Sequence, residues 1–203
     1  MTSVTGKECC AADRRIPAFV TDNPVRRFLA PPTKLVSRFL SGGEVAVDLG
    51  CGPGFHTLEM ARRVGPNGKV YAVDFDRGAI EKLSRKAKRL GCSNVEAHVS
   101  SAADVGFVLS SSVDFVLAGG LLCCMADHAG ALGEIRRILK PGGSAYLSVT
   151  RTFVRRGRMG VDGEEWRRTL EGFRVVEKGS GLAGRWAVVA LDGTAVDGGR
   201  AKR

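Results

Sequence analysis

The stretch Val45-Ala-Val-Asp-Leu-Gly-Cys-Gly-Pro-Gly-Phe-His-Thr57 decides how this chain reads. Three apolar residues run into Asp48, and glycines follow at alternate positions, Gly50, Gly52 and Gly54. The pattern predicts a buried strand, a tight glycine turn and a helix start. Glycines at such a turn permit unusual backbone angles and let a ligand lie against the main chain. About twenty residues further on, at the spacing of a βαβ unit, Lys69-Val-Tyr-Ala-Val73 reads as a second strand that ends in Asp74. An acid at that place can accept both hydroxyls of a ribose. The two features together indicate a nucleoside-containing cofactor on a doubly wound α/β sheet.

The glycine spacing is Gly-x-Gly-x-Gly, not the Gly-x-Gly-x-x-Gly that faces a pyrophosphate, and Asp48 precedes it. A fixed carboxylate beside a diphosphate is unfavourable. It suits the ammonium group of an amino acid, and S-adenosylmethionine carries both an amino acid and a ribose. At this point the chain resembles the class I S-adenosylmethionine-dependent methyltransferases, from about Phe19 to Leu191. Asp48-Leu-Gly-Cys-Gly-Pro-Gly54 is similar to their first motif and Val73-Asp-Phe-Asp76 to their second. Ile138-Leu-Lys-Pro-Gly-Gly143 is similar to the turn before their fifth strand. The segments Asp22–Lys34, Val161–Trp166 and Gly172–Glu177 resemble a small prokaryotic subgroup of undefined substrate.

The resemblance implies a Rossmann-like, seven-stranded, mostly parallel sheet with an antiparallel last strand and helices on both faces. It implies S-adenosyl-L-methionine as cofactor, held by Asp48, Gly50, Cys51, Gly52, Gly54 and Asp74, with Phe75 over the adenine. Simple packing beside the sheet is the alternative for Phe75. After the third strand the family places an acid that holds the adenine amino group, followed by a small residue. Here that place is held by Ser101 and Ala102, and Asp104 comes three positions late. A serine hydroxyl accepts a hydrogen bond more weakly than a carboxylate.

Periodicity predicts a helix over Thr33–Leu40, strand 45–49, helix 55–64, strand 69–73 and an amphipathic helix Arg77–Leu90. That helix is capped by Asp76, with Ile80, Leu83, Ala87 and Leu90 on one face. Strands 95–99 and Val113–Ala118 follow, then a helix near Ala129–Leu139, the Lys140–Gly143 turn and strand Ser144–Val149. Beyond a short helix at Glu164–Leu170, strands Phe173–Glu177 and Arg185–Leu191 are joined by a Gly179–Gly184 loop and form an antiparallel hairpin. Residues 1–18 are expected to be disordered and 19–191 to form one domain, with a cover segment at 19–44; 192–203 form a disordered tail.

At 203 residues the chain fits one domain with a substantial core. It has no run of eighteen apolar residues and no signal-like N-terminus, so the expectation is a cytoplasmic protein. Six cysteines without Cys-x-x-Cys spacing read as free thiols. Histidines scattered at 56, 98 and 128 argue against zinc.

The acceptor side carries fewer signals. Methyl transfer needs a nucleophile in line with the methyl carbon, and positioning alone supplies much of the rate. Leu117-Ala-Gly-Gly-Leu-Leu-Cys-Cys-Met125 lacks the Pro-Pro-aromatic segment of base amino-methylating families, and Cys123 and Cys124 lack the setting of a nucleophile for cytosine C5. The segment resembles the small-molecule branch. Asp127 and His128 are the titratable pair nearest the expected pocket; His128 reads as a base or as a solvated helix-start residue. Arg26 and Arg27 lie in the leader. Formal net charge is +10, and Arg151, Arg155, Arg156 and Arg158 cluster beyond strand five. These favour an anionic acceptor, or RNA across the 151–158 loop, although the patch lacks interleaved aromatics apart from Phe153. The readings are a methyltransferase acting on a small, anionic acceptor, an RNA or protein methyltransferase, and a binding protein that keeps the cofactor site without catalysis.

Overall fold

A computed structural model describes residues 13, 15, 32–150, 161–181 and 184–192. Its centre is β1 (Val45–Leu49), flanked by β2 (Lys69–Asp74) on one side and β4 (Val113–Gly119) on the other, both parallel to it. With β3 (Val95–Val99), β5 (Leu139–Thr150), β6 (Phe173–Gly181) and β7 (Gly184–Leu191), the sheet has seven strands in the order β3-β2-β1-β4-β5-β7-β6. The strands from β1 to β5 are parallel, and β7 runs antiparallel to both β5 and β6. This is the Rossmann-like architecture that the motifs imply.

Strand alternation sends two sets of side chains to opposite faces. Ala46, Val70, Phe115 and Leu117 pack with α1 (Pro32–Phe39) and α2 (Thr57–Val64), through Val36, Met60, Ala61 and Val64. On the same side Ala72 meets Ile80, Leu83 and Ala87 of α3 (Arg77–Arg89). Val47, Leu49, Val73 and Val116 pack with α4 (His128–Ile138) and with Trp166 of α5 (Gly163–Thr169). Both faces of the parallel strands are therefore buried, which is why they read as near-continuous apolar runs.

Several boundaries differ from the sequence expectation, three of them with a clear physical reason. Strand β5 begins at Leu139, which pairs with Val113, and the next pair is Phe115 with Ser144. The Lys140–Gly143 segment is thus a bulge inside β5, held by the Lys140 Nζ contact to Asp114 Oδ2 at 2.9 Å. The β6–β7 hairpin pairs through Gly181 and Gly184, so much of the expected glycine loop is strand. The Trp186 indole lies over Gly179, where a Cβ would meet it at 2.7 Å, and the missing side chain lets the ring lie on the strand. Leu90, read as part of the buried face of α3, is 57% exposed, because it is the C-cap residue and has left the helical register. Asp76 does cap α3, accepting the Gly78 N–H at 2.9 Å.

The glycine turn has a sharp steric test. Gly54 has φ of 88°, and a Cβ there would come within 2.5 Å of Leu83 Cδ1. Gly91, after α3, has φ of 69° and open space around it. Urea denaturation is expected to show Gly91→Ala costing about 1–2 kcal/mol, the backbone penalty alone. Gly54→Ala should cost about 1–3 kcal/mol more, from the forced displacement of Leu83.

Candidate functional site

The end of β1 and the end of β2 are tied by main-chain hydrogen bonds. The Val73 carbonyl accepts from Gly50 N–H at 2.8 Å and from Cys51 N–H at 3.0 Å. Asp74 Oδ2 accepts from Gly52 N–H, and Asp74 Oδ1 from Asp76 N–H, each at 2.8 Å. The turn itself closes through Gly54 N–H to the Cys51 carbonyl at 3.1 Å. Gly50, Gly52 and Gly54 all have positive φ, at 73°, 53° and 88°, which explains three glycines in five residues. A carboxylate has about four acceptor positions. The backbone takes one on each oxygen of Asp74, and the carboxylate stands in the wall of a cavity with the rest.

That cavity, about 530 Å³, opens at the C-terminal ends of β1, β2 and β4. Chain order reverses there, since β1 sits between β2 and β4. Open α/β sheets bind ligands at such a switch point. Gly50, Gly52, Asp74 and Phe75 form one side, Ser101 and Ala102 a second, and Gly119, Gly120, Leu121, Cys124 and Met125 a third. The third wall follows from β4. The Gly120 N–H donates to the Ser148 carbonyl at 3.0 Å, and a 3-10 helix at Leu121–Cys123 follows. Leu121 Cδ1 would lie 3.0 Å from a Cβ at position 50, so Gly50 and Leu121 close the cavity floor together.

Of the residues singled out in sequence, Gly50, Gly52, Asp74, Phe75, Ser101 and Ala102 line the cavity; Cys51 and Gly54, within the turn, and Asp48, before it, do not. Asp48 is 3% exposed, and its Oδ2 accepts the Thr57 hydroxyl at 2.6 Å. Burial pushes the Cys51 thiol well up, and the neighbouring Asp48 and Asp74 carboxylates push it further. Such a thiol is inert. Burial also holds the Asp74 carboxyl above the ordinary aspartate range, opposed by the Asp76 and Gly52 N–H donors. Ser101 Oγ accepts the Ala103 N–H at 3.2 Å. Asp104 is exposed and outside the lining; its carbonyl accepts the Ser100 hydroxyl at 2.7 Å.

Asp127 caps α4 through Gly130 N–H, and His128 Nδ1 lies 3.2 Å from Glu165 Oε1 on α5. Neither lines the cavity. Arg26, Arg27 and the arginines of 151–158 lie outside the described residues.

Sequence reasoning missed Asp13, Arg15 and Lys82, all of which line the cavity. Lys82 had a signal: it follows the cavity-lining Gly78 and Ala79 by four and three residues, one helix face. Asp13 and Arg15 had none. Among the described residues no cluster of three or more His, Cys, Asp or Glu side chains could hold a metal ion, and no helix is long and apolar enough to cross a membrane.

Residues 40–169 match a family model described as a methyltransferase domain. The demethylmenaquinone methyltransferase of Geobacillus stearothermophilus is 36% identical over 101 residues, 50% of this chain and 43% of that protein. The chain spans less than half the length of the curated relatives it matches. A crystal structure of a SAM-dependent methyltransferase from Aquifex aeolicus superposes with a TM-score of 0.73 at 26% identity, covering 86% of this chain and 96% of that one. A putative rRNA-methylase from Clostridium thermocellum has a TM-score of 0.66 at 19% identity, covering 82% and 97%, a likeness of fold alone. The glycine turn, the acid that ends β2 and the cavity at the switch point thus sit inside a matched family domain, and the chain belongs to the class I S-adenosylmethionine-dependent methyltransferases.

Proposed function

We infer that this chain transfers a methyl group from S-adenosylmethionine to a small-molecule acceptor. The observation that carries the reading is the third wall of the cavity: Leu121, Cys124 and Met125 face the glycine turn and Asp74 across about 530 Å³. That volume lies in the range of small-ligand pockets. The residues present fit the cofactor. Asp74 is held by two N–H groups in a pose with acceptor positions to spare for two ribose hydroxyls. The glycine turn presents bare backbone to the amino-acid part, and the Asp48 carboxylate behind it favours a cationic ammonium.

When bound, S-adenosylmethionine supplies a methyl group on a positively charged sulfur. The protein's part is to bind, orient and exclude water. Asp74 fixes the nucleoside end against the β2 terminus. Leu121, Cys124 and Met125 give the acceptor an apolar seat beside the turn, so that its nucleophile meets the methyl carbon in line. Among the described residues the acidic and basic side chains lining the cavity are Asp13, Arg15, Asp74, Asp76 and Lys82. Asp74 and Asp76 accept backbone N–H groups, and in this reading the remaining acceptor positions of Asp74 go to the ribose. Positioning and desolvation therefore supply most of the rate in this reading. Lys82 gives an anionic acceptor a counter-charge in the cavity lining.

Labelled cofactor incubated with separated metabolite, RNA and protein fractions tests the acceptor class. Label is expected in the metabolite fraction; label in RNA or protein alone overturns the reading, and binding without transfer to any fraction favours a binding-only protein. The cofactor pose has its own test in Asp74. The ionised carboxylate is the form that accepts two hydroxyls, and its pKa is raised in the free protein. Affinity for S-adenosylhomocysteine should therefore be full above that raised pKa and fall as pH drops through it. Asp74→Asn should weaken binding about a hundredfold, the equivalent of two charged hydrogen bonds at about 1.5 kcal/mol each, and flatten the pH profile. Calorimetry across pH reads both.

A further inference from the structure

Asp13 and Arg15 both line the cofactor cavity, and their anchors lie on two different walls of it. Asp13 Oδ1 accepts the Ala126 N–H at 2.9 Å, next to Met125 on the acceptor side. The Arg15 guanidinium carbon stands over the Phe75 ring, 5.9 Å from its centre. Phe75 directly follows Asp74, so Arg15 faces the nucleoside side. The two residues are two positions apart, and an extended chain covers about 3.5 Å per residue. A hydrogen bond that fixes Asp13 therefore restricts where Arg15 can reach.

We propose that Arg15 is a base-binding residue: its guanidinium and the Phe75 ring are two jaws that hold the adenine of the cofactor between them, and Asp13 positions Arg15. The proposal rests on the cofactor reading above. The spacing supports it. Direct carbon contact lies at about 3.5–4.0 Å, and a flat ring between two surfaces needs about twice that, roughly 7–8 Å. The observed 5.9 Å is too wide for full contact and about 1–2 Å short of a filled sandwich. Entry of a base needs a small outward shift of an exposed side chain. Arginine suits this place because its guanidinium is planar, delocalised and weakly hydrated, and stacks on π-faces as a lysine ammonium does not. Ser101 and Ala102 line the same cavity and offer small side chains where a base ring must fit.

Calorimetry of the full chain with S-adenosylhomocysteine tests this, together with adenosine measured by displacement. Adenosine keeps the base and ribose and lacks the sulfur and amino acid. Arg15→Ala should weaken both ligands by about tenfold, the size of a partly desolvated cation–π or stacking contact. Arg15→Lys should recover only part of the loss. Asp13→Ala should weaken both ligands by a smaller factor, and Asp13→Asn should restore binding, because the amide oxygen still accepts the Ala126 N–H. Arg15 is exposed, so an unchanged melting temperature is expected to accompany the loss. Parent-like affinity in Arg15→Ala overturns the proposal, as does a loss confined to S-adenosylhomocysteine, which would place Arg15 at the amino-acid end. If the parent binds neither ligand, the cofactor reading fails first and this one with it.

Discussion

The carboxylate of Asp74, clasped by the N–H groups of Gly52 and Asp76, is the interaction on which the site depends. It ties three elements at one point: the glycine turn after β1, the end of β2 and the start of α3. The Val73 carbonyl, one residue earlier, takes the N–H groups of Gly50 and Cys51. Loops after neighbouring parallel strands have no ladder to hold them, so they are free to drift unless something bridges them. Here the bridge is a half-buried anion, and burial raises its pKa. The two backbone donors offset that desolvation. The geometry that receives a ribose is therefore built by the fold before any ligand arrives, which lowers the ordering cost of binding.

A second carboxyl group lies beneath the first. Asp48 is buried behind the turn and held by the Thr57 hydroxyl of α2. Cys51 sits close to both carboxylates, and its thiol is pushed well above the ordinary range by burial and by them. The turn is thus flanked by two acidic side chains whose ionised forms set a negative field. Under the proposed function this field serves binding more than rate. It favours a cationic ammonium and sulfonium, and the sulfonium charge is lost on transfer, so the field does not favour the transition state over the bound cofactor. Rate then comes from alignment and from an apolar acceptor seat.

The central half of the molecule is legible because its constraints are local. Apolar runs buried on both faces, glycines forced to positive φ and an acid at a strand end are all written within a few residues of where they act. The features that escape are those set by a partner far along the chain. Leu139 becomes strand because Val113 pairs with it. Gly179 to Gly181 become strand because β7 runs beside them and Trp186 covers Gly179. Leu90 follows the periodicity of α3 but falls at its cap. Asp48 reads in sequence as a cofactor-binding acid before the glycine turn; its burial and its Thr57 partner come from the docking of α2. Asp13 meets Ala126 across 113 positions, with no pattern around it to announce the contact.

The same division explains why the cofactor class is readable and the acceptor is not. The nucleoside end is fixed by strand termini, whose positions the sheet dictates. The acceptor end is made by a 3-10 helix after β4 and by residues of the chain's N-terminal end. Neither obeys a periodicity that a sheet or helix must keep, so either can change without disturbing the core. One fold can therefore serve many acceptors. In this chain the two ends are not independent. Asp13 grips the acceptor wall while Arg15, two positions on, faces Phe75 on the nucleoside wall. A change in the segment after the 3-10 helix that displaced the Ala126 N–H would release Asp13, and with it the restraint on Arg15. The least legible part of the sequence is thus mechanically coupled to the most legible one.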